Sequence, residues 1–406
     1  MIRIIIMINY GTCEREHTMR DKQRLVQECM DKAVFKQEVA GVVALEIKEG
    51  KEVLFAKSGF SDIKNGIPVS RDTIFRLYSQ SKPITAAAAM ALVEDGIIDL
   101  GEPVGNYIDS FNNQTYLCKG KVRKVPVDKK MRIRDLMNMT SGLVYPGIGT
   151  PTEVAVGRLM TGMEKRLGTD KMMSTMEFAE KIGKIPLNFL PGSHFQYGTS
   201  ADVLGAVIEK ASGMTFGDFV RARILDPLRM NDTDFYVPAS KLDRLSKAYR
   251  NVKGRLIEYH GDRLVIRNDG GRNPFESGGA GLFSTVDDYA RFGHMLLNNG
   301  KFGNKRILSA NTVKYLTSGK LTSYQQPDFD NWQGLEGFTY GNLMRVLDDP
   351  SQASIIGNKG EYGWDGWLGA YFVNDPSTMT TFIMLVQRFD YGTGPLTRKL
   401  RNIIFS

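Results

Sequence analysis

The chain has 406 residues, 42% apolar and 24% charged, with 53 Lys and Arg against 45 Asp and Glu for a net charge of +8. That balance suits a globular protein of roughly two to three domain-sized units and excludes a disordered, collagen-like or disulfide-built chain. Four histidines (His17, His194, His260, His294) with no HExxH, and three scattered cysteines (Cys13, Cys29, Cys118) with no CxxC, argue against a metal centre or a disulfide framework, so no metal and no cofactor are expected.

At the N-terminus, Arg3 and the apolar run at 4–8 begin like a signal peptide. The run stops at Asn9-Tyr10-Gly11, short of the roughly 7–15 apolar residues of a signal core and far short of a membrane span. Residues 1–18 are expected to be an N-terminal extension, with Met19 as an alternative start, no stable membrane insertion and a cytoplasmic location; a periplasmic or exported protein is the alternative. Leu25, Val26, Cys29, Ala33 and Val34 then recur at helical spacing. Two apolar runs, 42–47 (VVALEI) and 53–56 (VLFA), flank Glu49-Gly50-Lys51 and predict a hairpin packed on that helix. Residues 80–94 predict a helix with Pro83 in its first turn and an alanine-rich body.

Between 100 and 310, helical patterns alternate with Gly/Pro loops. Good examples are 201–211 (ADVLGAVIEKA), closed by Ser212-Gly213, and 287–297 (DDYARFGHMLL), opened by Ser284-Thr285. The densest basic stretch, 119–130 (KGKVRKVPVDKK), has no interleaved aromatic residue and predicts a solvated loop face, so no nucleic-acid partner is expected. Glycines at 357, 360, 363, 366 and 369 mark a loop entering a strand whose backbone is closely approached. Strands are predicted at 368–373 (LGAYFV) and 380–386 (TTFIMLV), then a helix near 396–404. These elements describe an α/β (α+β) protein: an antiparallel sheet from both chain ends with flanking helices, and a large, mostly helical lobe inserted between them. In boundaries, 19–78 and 310–406 form the sheet lobe and 79–309 the helical lobe, with the active site in the cleft between.

The sharpest chemical signal is Ser79-Gln80-Ser81-Lys82. If Ser79 opens the helix, the i, i+3 spacing puts hydroxyl and ammonium on one face, and a lysine of lowered pKa can act as the base a serine nucleophile needs. The helix N-terminus favours the negative charge that develops on the attacked oxygen. A helix cap beside a solvated lysine is the alternative for the same residues. A second SxxK, Ser61-Asp62-Ile63-Lys64, runs into the turn Asn65-Gly66, so its side chains need not converge. No Gly-x-Ser-x-Gly elbow occurs. His194 could point into the cleft, but a surface loop histidine is the commoner case.

The stretch 73–100 (TIFRLYSQSKPITAAAAMALVEDGIIDL) resembles the active-site helix of the serine β-lactamase and penicillin-binding protein superfamily, in its class C-like, esterase and D-aminopeptidase branch. Further similarities follow in the family's order: 133–143 (IRDLMNMTSGL), 190–213 (LPGSHFQYGTSADVLGAVIEKASG), 278–297 (GGAGLFSTVDDYARFGHMLL) and 362–375 (YGWDGWLGAYFVND). The resemblance implies a β-lactamase/transpeptidase-like fold and a nucleophile at Ser79 with Lys82. It also implies a proton-shuttling tyrosine from a Tyr-x-Asn element, and Tyr197-Gly198-Thr199 has the family's context. The literal strings Tyr249-Arg250-Asn251 and Tyr340-Gly341-Asn342 do not. Thr199 replaces the usual Asn, which alters a substrate contact at that corner.

The family's Lys-Thr-Gly or His-x-Gly strand is matched by Trp364-Asp365-Gly366, similar to the Trp-Gly-Gly of its carboxylesterases, whereas Lys57-Ser58-Gly59 precedes the nucleophile and does not correspond. By this resemblance Gly366 lets substrate lie against the strand edge, and the N–H groups of Trp367 and Ser79 form the oxyanion hole. Core aromatics beside a turn are the other reading of Trp364 and Trp367. The missing cation, with Asp365 in the motif, tilts the expectation toward neutral esters or amides. The expected activity is that of a metal-independent serine hydrolase forming an acyl-enzyme on a small ester, amide or β-lactam. The alternatives are β-lactamase, DD-peptidase or D-aminopeptidase activity, acyl transfer, or a penicillin-binding or sensor protein without turnover. The sequence carries no signal of oligomeric state.

Overall fold

The computed structural model describes residues 10–406, with side chains from residue 21 onward. The apolar run at 4–8 and the side chains of Cys13, His17 and Met19 lie outside the described residues. The helices that matter for the site are α1 (Tyr10–Phe35), α2 (Lys82–Glu94), α3 (Pro151–Glu164), α4 (Ser200–Ser212), α5 (Val286–Leu297), α6 (Gln326–Asp330) and α7 (Pro395–Phe405). Helix α1 crosses the boundary expected at residue 18.

The main sheet has eight strands: β1 (Gly41–Lys48), β2 (Lys51–Asp62), β3 (Ile67–Pro68), β4 (Phe338–Gly341), β5 (Met344–Leu347), β6 (Tyr362–Asp365), β7 (Tyr371–Asp375) and β8 (Thr380–Val386). Their spatial order is β4-β5-β6-β7-β8-β1-β2-β3, and every pairing is antiparallel. The two chain ends meet in its middle, where β1 pairs with β8 from Val42 opposite Val386 to Lys48 opposite Thr380.

Strand β1 is apolar without a break at 42–45 because both of its faces are covered there. Val42 and Ala44 pack with Val26, Met30 and Leu400 of the terminal helices, whereas Val43 and Leu45 join the central core with α2 and α5. The two-residue period of a strand therefore divides one run between two cores. Helix α5 lies on this sheet although it falls within 79–309: Asn374 Nδ2 of β7 donates to the Gly293 carbonyl at 2.8 Å, and a Cβ at Gly293 would press on Phe372 and Thr381. The basic stretch at 119–130 forms no plain loop. It carries the second strand of an exposed hairpin, Thr115–Cys118 with Lys121–Lys124.

Helix α2 is buried along nearly its whole length. Its alanines, the best helix formers, leave little side-chain bulk, so α4 and other helices of the central core can close on it. Pro83 stands in its first turn, where a missing N–H removes no intrahelical bond.

Candidate active site

The short strand Phe75–Arg76, paired with Phe283–Ser284, leads to Tyr78, whose φ of +46° places a bulky residue in the left-handed region. Such a conformation costs on the order of 1 kcal/mol or more and persists only where the surroundings hold it. Here the ring is wholly buried and edge-on to Trp367, with centroids 5.2 Å apart. The chain then tightens into a single 3-10 turn, Tyr78–Ser81, that runs straight into α2. Ser79 thus stands on the turn before the α-helix rather than at its first residue. Its N–H donates to no acceptor among the described residues.

Lys82 Nζ donates to three acceptors: Ser79 Oγ at 3.1 Å, the Tyr145 hydroxyl at 3.1 Å and the Gly279 carbonyl at 2.8 Å. Burial strips the ammonium of water and lowers its pKa to about 7, against the opposing pull of Asp202 and Asp365. Three acceptors satisfy the ammonium; the neutral amine keeps two donors and presents a lone pair to a hydroxyl proton. Asp202, in the first turn of α4, fixes the third acceptor. Its carboxylate accepts from the Ser277 hydroxyl and from the Gly279 N–H at 3.1 Å, and burial pushes its pKa up.

Tyr197 reaches the same point through a close backbone contact. A Cβ at Gly198 would overlap the Leu143 carbonyl, so only glycine lets this loop lie against 143–144. The contact brings the Tyr145 and Tyr197 rings to 5.7 Å. The Tyr197 hydroxyl accepts from Trp364 Nε1 at 2.8 Å and also meets Ser79, while its ring centroid lies 4.5 Å from Lys82 Nζ. Burial raises the pKa of both phenols, which keeps them protonated at neutral pH.

Trp364 is buried, with its indole packed on Tyr197 and Tyr340 at 5.4 and 5.0 Å. Asp365 follows in the cleft wall and pairs with Arg345 at 3.4 Å; burial raises its pKa while Arg345 and Lys82 oppose the rise. Two sequence expectations need correction. Gly366 makes no room for substrate, because the space a Cβ would fill is taken by the Leu77 carbonyl, which ties the nucleophile turn to the end of β6. Thr199 does not face the cleft either. It is wholly buried at the N-cap of α4, and its hydroxyl donates to the Val144 carbonyl at 3.4 Å. Beyond Gly366, the N–H groups of Gly366 and Gly369 bond within the turn, whereas that of Trp367 has no acceptor among the described residues.

Ser79 opens into a cleft of about 720 Å³ whose wall includes Met160, Leu335 and Trp332 as well as Glu164, Arg263 and Asp390. His194 is apart from it, exposed on its loop with Nδ1 3.1 Å from Asp328. Tyr249 accepts from the Ile63 N–H, Lys57-Ser58-Gly59 lies on β2, and the Ser61 hydroxyl bonds the 67–68 carbonyls, so none of these joins the site. Among the described residues no cluster of His, Cys, Asp or Glu is arranged to hold a metal, and no helix is long and apolar enough to cross a membrane.

Tyr145, like Asp202 and Gly279, is a site residue the sequence did not single out. It stands two positions past the 133–143 block, and its place beside Lys82 depends on a fold contact at Gly198 rather than on any local spacing.

A family profile described as Beta-lactamase matches residues 23–403. Protein Rv1367c of Mycobacterium tuberculosis is 31% identical over 365 residues, covering 86% of this chain and 86% of that one. Esterase EstB of Burkholderia gladioli is 28% identical over 399 residues, 93% of each chain. Among solved structures, EstCE1, described as a hydrolase with promiscuous acyltransferase activity, superposes with a TM-score of 0.79 at 22% identity, covering 97% of this chain and all of its own, and so shares the fold.

Proposed function

This chain belongs to the beta-lactamase family and is a serine hydrolase, and on that premise we propose that Ser79 is its nucleophile, with Lys82 as base and Tyr197 as proton shuttle, acting on a small ester or amide. One observation carries the assignment: a wholly buried lysine amine 3.1 Å from the serine hydroxyl, with two half-buried phenols around it.

Neutral Lys82 takes the Ser79 proton as Oγ attacks the substrate carbonyl. The negative charge that forms on the carbonyl oxygen is met by the N–H groups of Ser79 and Trp367, two donors that no protein acceptor competes for among the described residues. Tyr197 gives its proton to the departing alcohol or amine and is reprotonated from the Lys82 ammonium, which leaves an acyl-Ser79 ester. Water then loses a proton along the same path and attacks that ester, and Ser79 regains its proton as the acid departs. Tyr145 acts through Lys82: its hydroxyl, with the Gly279 carbonyl, holds the amine in line with Ser79.

A fluorophosphonate probe is expected to label the protein and to leave Ser79→Ala unlabelled; equal labelling of both overturns the nucleophile. Short 4-nitrophenyl esters are expected to turn over faster than a chromogenic cephalosporin, and the reverse ranking would favour β-lactamase or DD-peptidase activity.

A further inference from the structure

The wall of the cleft carries a strained hairpin tip. Arg263 and Ile266 bridge each other across a two-residue turn, with the Ile266 N–H donating to the Arg263 carbonyl at 3.0 Å. The two turn residues, Leu264 and Val265, have φ of +53° and +63°. Such turns ordinarily take Asn and Gly, and a β-branched residue in the left-handed region is a genuine outlier. Three contacts hold the strain. Val265 is buried in the core, its N–H meets Glu164 Oε1 at 3.4 Å, and its carbonyl accepts from Asn273 Nδ2 at 2.7 Å.

This tip aims Arg263. The guanidinium lies 4.6 Å from the Trp367 ring centroid, on the indole whose backbone N–H faces the reaction in the mechanism above. Trp367 is itself fixed, by Nε1 to Asp390 at 3.3 Å and by the Tyr78 and Phe389 rings at 5.2 and 4.4 Å. The Arg263 side chain makes no ion pair and no hydrogen bond among the described residues, so the stack holds its position while its donors stay available. Of the acids in the same wall, Asp365 pairs with Arg345, Asp390 accepts from Trp367 Nε1, and Glu164 accepts from the Val265 N–H, with the Arg263 charge opposing the rise that burial gives its pKa but making no ion pair with it. Arg398, also in the wall, donates to the Thr393 carbonyl.

We propose that Arg263 is an anion subsite of the Ser79 cleft and that the preferred substrate carries a carboxylate near its scissile ester or amide, an inference that rests on the hydrolase reading above. A planar guanidinium with a free edge matches a carboxylate in geometry and charge. The cation that the sequence finds missing at 364–366 is thereby supplied from a different element, on the far side of Trp367.

The test compares kcat/KM within two pairs. The first, 4-nitrophenyl hemiglutarate against 4-nitrophenyl hexanoate, places the carboxylate on the acyl side. The second, 4-carboxyphenyl butyrate against 4-acetylphenyl butyrate, places it on the leaving group. The unmodified protein is expected to favour the anionic member of one pair about tenfold or more, with the preference narrowing as salt rises. Arg263→Gln should lower that ratio roughly ten- to a hundredfold and Arg263→Lys restore part of it. Because the ratio is taken on one protein sample, general damage to a variant cancels. A ratio at or below one in both pairs for the unmodified protein overturns the proposal, as does a ratio unchanged in Arg263→Gln. Ser79→Ala, run on the uncharged esters, reports separately on the nucleophile: retained turnover there sinks the hydrolase site, whereas loss of turnover with no anion preference sinks only the Arg263 subsite.

Discussion

The inner end of the cleft and its rim are built in opposite ways. Around Lys82, the amine, the Ser79 hydroxyl, both phenols and the Asp202 carboxylate are all engaged with one another or with the Gly279 backbone. At the rim, Trp332 is 37% exposed, edge-on to Tyr197 and Trp364 at 5.0 and 5.7 Å, and Arg263 faces solvent above the Trp367 ring. The roof that carries Trp332 is tied to the Tyr197 loop by Asp328, which accepts from the Phe195 N–H at 3.0 Å. A buried, mutually bonded cluster fixes reaction geometry because any displacement strands a polar group. A rim with unsatisfied capacity selects substrates, because its groups gain partners only when something binds.

Substitutions at the inner end should therefore damage every reaction and those at the rim only some. Lys82→Met is expected to cost roughly 10²–10⁴-fold in kcat/KM on any ester. It should also abolish the pH limb: the free amine is the base, so wild-type kcat/KM rises through a pKa of about 7 and levels above it. Stability gives an independent reading of the same group. The folded pKa lies below the ordinary lysine value of 10.5, so between about 7 and 10.5 the unfolded chain binds more protons and stability rises with pH. Below about 7 the full cost of burying the charge is present. Lys82→Met should then stabilise by about 1–4 kcal/mol at pH 6, with the gain shrinking toward pH 10, as read from thermal melts.

Tyr197→Phe is expected to lose roughly 10²-fold in kcat, since it removes the leaving-group acid. Tyr145→Phe should cost about tenfold and move the pH limb downward, because the ammonium loses one of its three acceptors. A Tyr145→Phe loss equal to that of Tyr197→Phe would exchange the two roles. The smallest effect belongs to the rim. Trp332→Ala should weaken KM for aromatic esters by about 1 kcal/mol, the usual worth of an aromatic contact, with little change for acetate esters. A uniform loss across esters would erase the contrast between the two ends.

The Ser79–Lys82 pair is legible in the sequence because three residues of local spacing define it. Tyr197 is legible only through family resemblance. Tyr145, Asp202 and Gly279 are not, since each reaches Lys82 through contacts between segments far apart in the chain. Two residues mislead for a shared reason: Gly366 and Thr199 sit in motif positions, yet the backbones of Leu77 and Val144 claim the places where substrate contact was expected. In the fold, β1, β2 and β8 announce themselves as apolar runs, whereas β4 and β5 do not. They are four residues each, and their turn places Asn342 and Leu343 at φ of +51° and +62°, only the first of which is a residue type that signals such a turn.

The pairing of β1 with β8 sets a condition on biosynthesis. Val42 leaves the ribosome while its partner Val386 is still hundreds of codons away, roughly 20–70 s at typical elongation rates. During that interval β1 and the hairpin it forms with β2 present an open apolar edge, a hazard for nascent-chain aggregation. The turn bearing Ser79 shares this delay, since Leu77 docks on Gly366 only after β6 has emerged. A chain arrested before residue 362 would carry every residue of the serine–lysine pair and still have no cleft to use it in.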